Sequence, residues 1–144
     1  MRDDFYQHII SALQGPLDAD LFEHCACDLL RSAYPSLAPI KGGSDSGMDG
    51  AIADGLGEPF PLVCTTGVDA LRNLTRSLES YVAHGGLRRK AVFATSRSLT
   101  PQRKQNLFRR ASRLGFQLVN VHDQVAIADL LYRRPEWCRD LLGI

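Results

Sequence analysis

The chain has 144 residues, with 17 Lys and Arg against 16 Asp and Glu, a net charge of +1. That length suits one domain with a complete hydrophobic core, and no apolar run reaches the roughly 18 residues of a membrane span. We therefore expect a single globular domain over residues 1–144 and no membrane association. The N-terminus, MRDDFYQHII, lacks the apolar segment of a secretion signal, so we expect a cytoplasmic protein.

Charge is unevenly distributed along the chain. Residues 1–79 hold 5 basic and 12 acidic side chains, residues 80–122 hold 9 basic and no acidic ones, and residues 123–144 hold 3 and 4. An acid-free stretch of this kind can form a positive surface for phosphates. The alternative is that it folds against the acidic segment and is neutralised there. The four cysteines, Cys25, Cys27, Cys64 and Cys138, contain no C-x-x-C pair, so we expect buried reduced thiols rather than a zinc site.

The first half of the chain predicts two helices and a hairpin. Proline and glycine end a first helix over about 3–13, and a second helix runs from about Asp20 to Tyr34. Asp20 and Glu23 have the spacing of a capping box. The apolar positions of the second helix predict its buried face: Phe22, Ala26, Leu29, Leu30 and Ala33. SLAPI reads as a short extended piece, and MDGAIADG and EPFPLVCTTG read as two strands joined around Gly55–Gly57.

The second half alternates helices with strands. A helix over about Val68–Ala83 precedes the strand KAVFATS, which is apolar on both faces and therefore central. The next helix has Thr100 at its N-cap, Pro101 in its first turn and Gly115 after its end. Its predicted core positions are Leu107, Phe108, Ala111 and Leu114. QLVNVH is a further strand, followed by helical regions over about 124–133 and in PEWCRDLLGI. The order predicts an α/β fold with a mixed sheet flanked by helices.

The segment KGGSDSGMDGAI places acidic residues at a glycine-rich turn. Asp45 lies in the turn, Asp49 begins the first hairpin strand, and Glu23 on the second helix is placed to approach them. Carboxylate oxygens are the ligands that Mg²⁺ prefers, and such an ion polarises a phosphodiester and activates water. The residues therefore predict a magnesium site, although Asp and Gly are also common turn residues and Glu23 could serve only as a cap.

This arrangement resembles the PD-(D/E)xK nuclease superfamily, in particular its Mrr-like restriction endonuclease branch. The matching pieces are LFEHCACDLLRSAY, GGSDSGMDGAI and AVFATSRSLTPQRKQNLFRRA, and the resemblance covers about residues 18–122. It implies a restriction endonuclease-like fold acting on DNA with Mg²⁺, with Glu23 and Asp49 as catalytic carboxylates and Asp45 as an accessory metal ligand. It also implies a role of defence type.

The chain departs from the family on its next strand, PLVCTTG. The family carries Glu or Gln there, then one residue, then Lys, whereas this chain has Cys64 and Thr66. A thiol is too soft for magnesium, and a hydroxyl supplies no positive charge. Lys41, four residues before Asp45, is the candidate for a relocated catalytic lysine. Two functions therefore stay open: a divergent metal-dependent nuclease, and a cleavage-inactive module that binds nucleic acid or a partner protein within a larger system.

DNA is the expected partner, and a homodimer or additional partner domains would be consistent with the family. The acid-free segment supplies the candidate nucleic-acid contacts. They are Arg88, Arg89, Arg103, Arg110 and Arg113, the last three on the 100–114 helix. A nucleotide pocket made by GGSDSG is disfavoured, because the glycine-rich phosphate-binding motifs are missing and two acids would repel phosphate.

Overall fold

The structure is a computed structural model that describes residues 3–40 and 47–144 of the chain. These residues form six helices and five strands. In chain order they are α1 Asp4–Gln14, α2 Ala19–Leu30, β1 Ala38–Pro39, β2 Gly50–Ile52, β3 Phe60–Thr65, α3 Ala70–Ala83, β4 Lys90–Thr95, α4 Pro101–Arg113, β5 Gln117–His122, α5 Gln124–Leu131 and α6 Pro135–Leu142. The predicted mixed α/β fold is confirmed.

The five strands form one sheet in the order β1-β2-β3-β4-β5. β1, β2 and β3 are antiparallel neighbours, and Gly50 of β2 lies opposite Leu62 of β3. β3, β4 and β5 are parallel, so their carboxyl ends meet at one edge of the sheet. β4 is central and buried as predicted. This topology places the start of β2 beside the end of β3, where the candidate site lies.

Helices cover both faces of the sheet, and each face has its own core. On one side, α1, α2, α5 and α6 pack around residues such as Phe22 and Leu62. On the other side, α3 and α4 pack around residues such as Leu74 and Phe93. No helix within residues 3–40 and 47–144 has the length and apolar character needed to cross a membrane.

Short polar side chains begin most of the helices. Thr100 caps α4 as predicted, accepting a hydrogen bond from the N–H of Arg103 at 3.2 Å. Asp69 caps α3, which starts two residues later than predicted. The start of α2 differs from the prediction, because its cap is Asp18, whose carboxylate accepts from the N–H of Leu21 at 2.8 Å. The predicted capping box was therefore wrong, and Glu23 is available for another role.

Two predicted core positions are also wrong. α2 ends at Leu30 instead of near Tyr34, which leaves Ala33 exposed in the turn that follows. Phe108 is 40% exposed, because it lies at the side of α4 and not beneath it. A helical spacing of apolar residues gives the general direction of a buried face, whereas the width of that face depends on how closely the neighbouring helix packs.

Candidate functional site

A pocket of about 330 Å³ opens at the carboxyl end of β3, between α2 and α3. We call it the acid pocket. α2 contributes Glu23, the start of β2 contributes Asp49, and β3 with its following turn contributes Cys64 and Thr66. The full lining is Ala19, Phe22, Glu23, Asp49, Cys64, Thr65, Thr66, Gly67, Asn73 and Ser77. The structure thus brings together the two predicted catalytic acids and the two residues, Cys64 and Thr66, that differ from the predicted motif.

Asp49 is fixed by the antiparallel pairing of β2 with β3. It directly precedes β2, and its N–H donates to the carbonyl of Leu62 at 2.9 Å. Its carboxylate Oδ2 accepts a hydrogen bond from the N–H of Cys64 at 2.7 Å. The side chain is only 7% exposed. A carboxylate held by a backbone donor in this way has one orientation, as a metal ligand or catalytic base requires.

Glu23 and Asp49 form a hydrogen-bonded pair of carboxyl groups, which we call the acid pair. Burial, followed by the charge of Asp49 and the hydrogen bond to it, raises the pKa of Glu23 from 4.5 to about 8. Burial also raises the pKa of Asp49, against the opposing effect of the Cys64 N–H. At neutral pH the pair therefore shares one proton. We place that proton on Glu23, because the backbone donor favours the ionised form of Asp49.

Cys64 and Thr66 line the acid pocket at the carboxyl end of β3. Burial raises the pKa of the Cys64 thiol well above its ordinary value, and the negative charge of Asp49 adds to this effect. The thiol is therefore neutral and serves as a small apolar wall rather than a ligand. Thr66 adds a hydroxyl to the wall of the pocket but no charge.

The acid pair fits a hard divalent cation in part. Two carboxylates and a pocket with room for water match the way in which Mg²⁺ is bound, with few protein ligands and several waters. Within the described ranges no group of three or more His, Cys, Asp and Glu residues is arranged to hold a metal ion. The residues that would hold magnesium are thus Glu23 and Asp49, with water completing the coordination.

Several residues of the site were missed by the sequence reasoning. Asn73 and Ser77 of α3 line the acid pocket from the side opposite Glu23. Their spacing of four residues, away from the leucines of α3, was a detectable sign of a second functional face. Arg97 follows β4, and its Nε donates to the carbonyl of Thr66 at 2.9 Å. It thereby brings a positive charge to a residue of the pocket wall, and only the parallel pairing of β3 with β4 reveals this proximity.

Two predicted site residues, the proposed catalytic Lys41 and the accessory acid Asp45, lie outside the described residues. Their roles stay predictions. Within the described lining of the acid pocket there is no lysine or arginine.

The acid-free segment is partly neutralised by acids from other parts of the chain. Arg88 and Lys90 both bind the carboxylate of Asp54, at 2.6 and 3.1 Å, and both lie over the ring of Phe60. Lys104 pairs with Asp123 at 3.2 Å. Arg88 is thus held within the protein by a bidentate ion pair, which leaves it poorly placed for a phosphate.

The other predicted nucleic-acid contacts lie in three different settings. Arg89 donates to two backbone carbonyls and covers the ring of Phe116. Arg110 donates from Nη1 to Oγ1 of Thr75 on α3 at 2.9 Å. Arg103 and Arg113 are exposed on α4. The structure therefore places Arg103, Arg110 and Arg113 on the outer layer of α3 and α4, and Arg88 and Arg89 before β4.

Comparisons of the chain with models of protein families, with curated proteins and with solved structures found no match.

Proposed function

We propose that this chain is a restriction endonuclease-like domain that acts on DNA, with a divalent cation, Mg²⁺, held at Glu23 and Asp49. The observation that carries the proposal is the convergence of these two carboxyl groups in one pocket. They come from α2 and from the start of β2, which are 26 positions apart in the chain. Buried acids that share a proton cost stability, so their presence at the edge of a sheet is typical of a functional site.

The polar side chains of the acid pocket have defined parts in this function. When bound, Mg²⁺ supplies Lewis-acid polarisation of a phosphodiester and lowers the pKa of its water. Asp49 provides an anionic oxygen held in place by the Cys64 N–H. Glu23 must release its proton to become a ligand, so cation binding competes with the shared proton. The hydroxyls of Thr66 and Ser77 and the amide of Asn73 are available to orient a phosphate or a water.

The test is cleavage of a plasmid in Mg²⁺ or Mn²⁺ by the wild type, Asp49→Asn and Glu23→Gln. Asp49→Asn keeps an oxygen that can accept from the Cys64 N–H, so loss of activity would report on charge and not on folding. We expect nicking by the wild type alone, with activity at least about 100-fold lower in both variants. Equal activity in wild type and variants would refute a role for the acid pair.

A second candidate function is DNA binding without cleavage, as a module of a larger system. The observation that favours it is the pair Cys64 and Thr66, which give the described part of the acid pocket neither a third carboxylate nor a cation. Under this function the wild type binds duplex DNA but cuts no plasmid in either metal. Absence of both cleavage and DNA binding would refute both candidates. A cytoplasmic location and association as a homodimer or with partner domains belong to either proposal.

A further inference from the structure

α3 connects the acid pocket with the outer surface of the protein. Asn73 and Ser77, four residues apart, line the pocket. Arg72 and Arg76 have the same spacing and precede them by one residue each. One residue corresponds to about 100° of rotation around a helix, so the two arginines form the row next to the pocket row, turned towards solvent.

The arginines of α3 are available for a ligand. Arg72 and Arg76 are exposed, and no ion pair joins either to an acid within residues 3–40 and 47–144. Two acids lie one turn away along α3: Glu79 beyond Arg76, and the helix cap Asp69 before Arg72, whose carboxylate accepts from the backbone N–H of Arg72 at 3.0 Å. Arg72 and Arg76 lie within residues 1–79, which are acidic overall, so the charge distribution along the sequence did not indicate them.

α4 extends the positive surface on the other side of α3. The hydrogen bond from Arg110 to Thr75 brings its guanidinium to the residue that directly precedes Arg76. Arg103 lines a cleft between the first turns of α3 and α4. Arg113 is exposed one turn beyond Arg110. We call this surface the arginine face, and it consists of Arg72, Arg76, Arg103, Arg110 and Arg113.

We propose that the arginine face binds the phosphate backbone of duplex DNA, and that Arg72 and Arg76 bring one strand to the mouth of the acid pocket. This rests on the proposed function, since it assigns the route by which DNA reaches the acid pair. The face carries five guanidinium groups on two packed helices, which complements a regular array of phosphates. The exposed aromatic of α4, Phe108, is turned by roughly 140–160° around the helix from Arg103 and Arg110. The face therefore presents no ring on which unpaired bases would stack, and this favours a duplex over a single strand.

The test compares the salt dependence of duplex binding in three proteins. They are the wild type, Arg72→Ala/Arg76→Ala and the control Arg133→Ala/Arg139→Ala. The control removes two exposed arginines from the opposite helical layer, so all variants lose the same charge. A random-sequence DNA duplex is titrated by fluorescence anisotropy at salt concentrations from about 50 to about 200 mM.

We expect the α3 variant to bind duplex DNA roughly tenfold more weakly at low salt. The slope of log K against log salt should be smaller in magnitude by about 2. We expect the control to match the wild type. If the wild type binds duplex and both double variants behave alike, the arginine face is wrong while DNA binding stands. If the wild type binds no duplex, the proposed function and this inference both fail. If single-stranded DNA binds as tightly as duplex, the assignment of duplex is wrong.

Discussion

At the residue scale, Asp49 has two roles. Its hydrogen bond to Cys64 stabilises the acid pocket, and its carboxylate gives the pocket a negative charge. Its Oδ2 is the acceptor for the N–H of Cys64, at 2.7 Å in a buried environment. Asp49→Ala would leave that donor without a partner, which costs about 1–3 kcal/mol of unfolding free energy. Asp49→Asn should lose less, because an amide oxygen can replace the carboxylate as acceptor. Urea denaturation of both variants measures the difference, and equal losses would contradict the importance of this bond.

The raised pKa of Glu23 predicts that the stability of the fold depends on pH. An unfolded glutamate loses its proton near pH 4.5, whereas the folded protein retains it up to about pH 8. The folded state therefore binds more protons between these values. The stabilising contribution of Glu23 is complete below pH 4.5 and is lost as the pH rises through about 8.

Glu23→Gln removes this titration while preserving the shape of the side chain. We expect the wild type to lose stability relative to the variant as the pH increases across that window. Urea midpoints at a series of pH values provide the measurement. Parallel profiles for the two proteins would show that the acid pair shares no proton.

At the scale of elements, Gly47 determines how closely the segment before β2 approaches α3. Its φ is +75°, and an added Cβ would lie 2.1 Å from the carbonyl oxygen of Ser77 and 2.6 Å from the nitrogen of Tyr81. Both are backbone atoms, so neither can move aside as a side chain would. The approach positions Asp49, two residues later, against the pocket row of α3.

Gly47→Ala should therefore destabilise the fold far more than a matched substitution. The control is Gly55→Ala, which has a similar φ of +79° but nothing within 4 Å of the added Cβ. Both substitutions incur the cost of a left-handed backbone, and Gly47→Ala adds overpacking of about 1–3 kcal/mol. Chemical denaturation tests this, and equal losses would mean that α3 does not restrict Gly47.

At the scale of the whole molecule, a bound cation should stabilise the fold. A ligand that binds only the folded state raises stability by about 2.7 kcal/mol at 100 times its Kd. Mg²⁺ should therefore raise the Tm of the wild type but not of Asp49→Asn, and Na⁺ at equal ionic strength separates specific binding from screening. Calorimetric titration in two buffers of different ionisation enthalpy should also reveal proton release from Glu23. A Tm unchanged by Mg²⁺ would contradict the proposed metal site.

Much of the fold was predictable because its signals are local. Thr100, Pro101 and Gly115 mark the bounds of α4 through backbone chemistry that acts within a few residues. The alternation of apolar strands and helices determined the mixed α/β class in the same way. Prediction failed for the cap of α2 and for the exposure of Phe108. In both cases the sequence allows more than one local arrangement, and tertiary packing selects one of them. Asp18 and Asp20 are both good caps, and only the path of the chain into α2 selects Asp18.

The candidate site, like the fold, was predictable from the sequence only in part. The sequence by itself determined that acids are available at Glu23 and Asp49, that Cys64 and Thr66 occupy the next strand, and that residues 80–122 carry no acid. Only the tertiary structure decided that Glu23 and Asp49 meet in one pocket, that Arg88 is held by Asp54, and that Asn73 and Ser77 of α3 line the acid pocket. The physical reason is that charge and pKa depend on distance in space. Distances between residues far apart in the chain are set when the sheet pairs and the helices pack upon it.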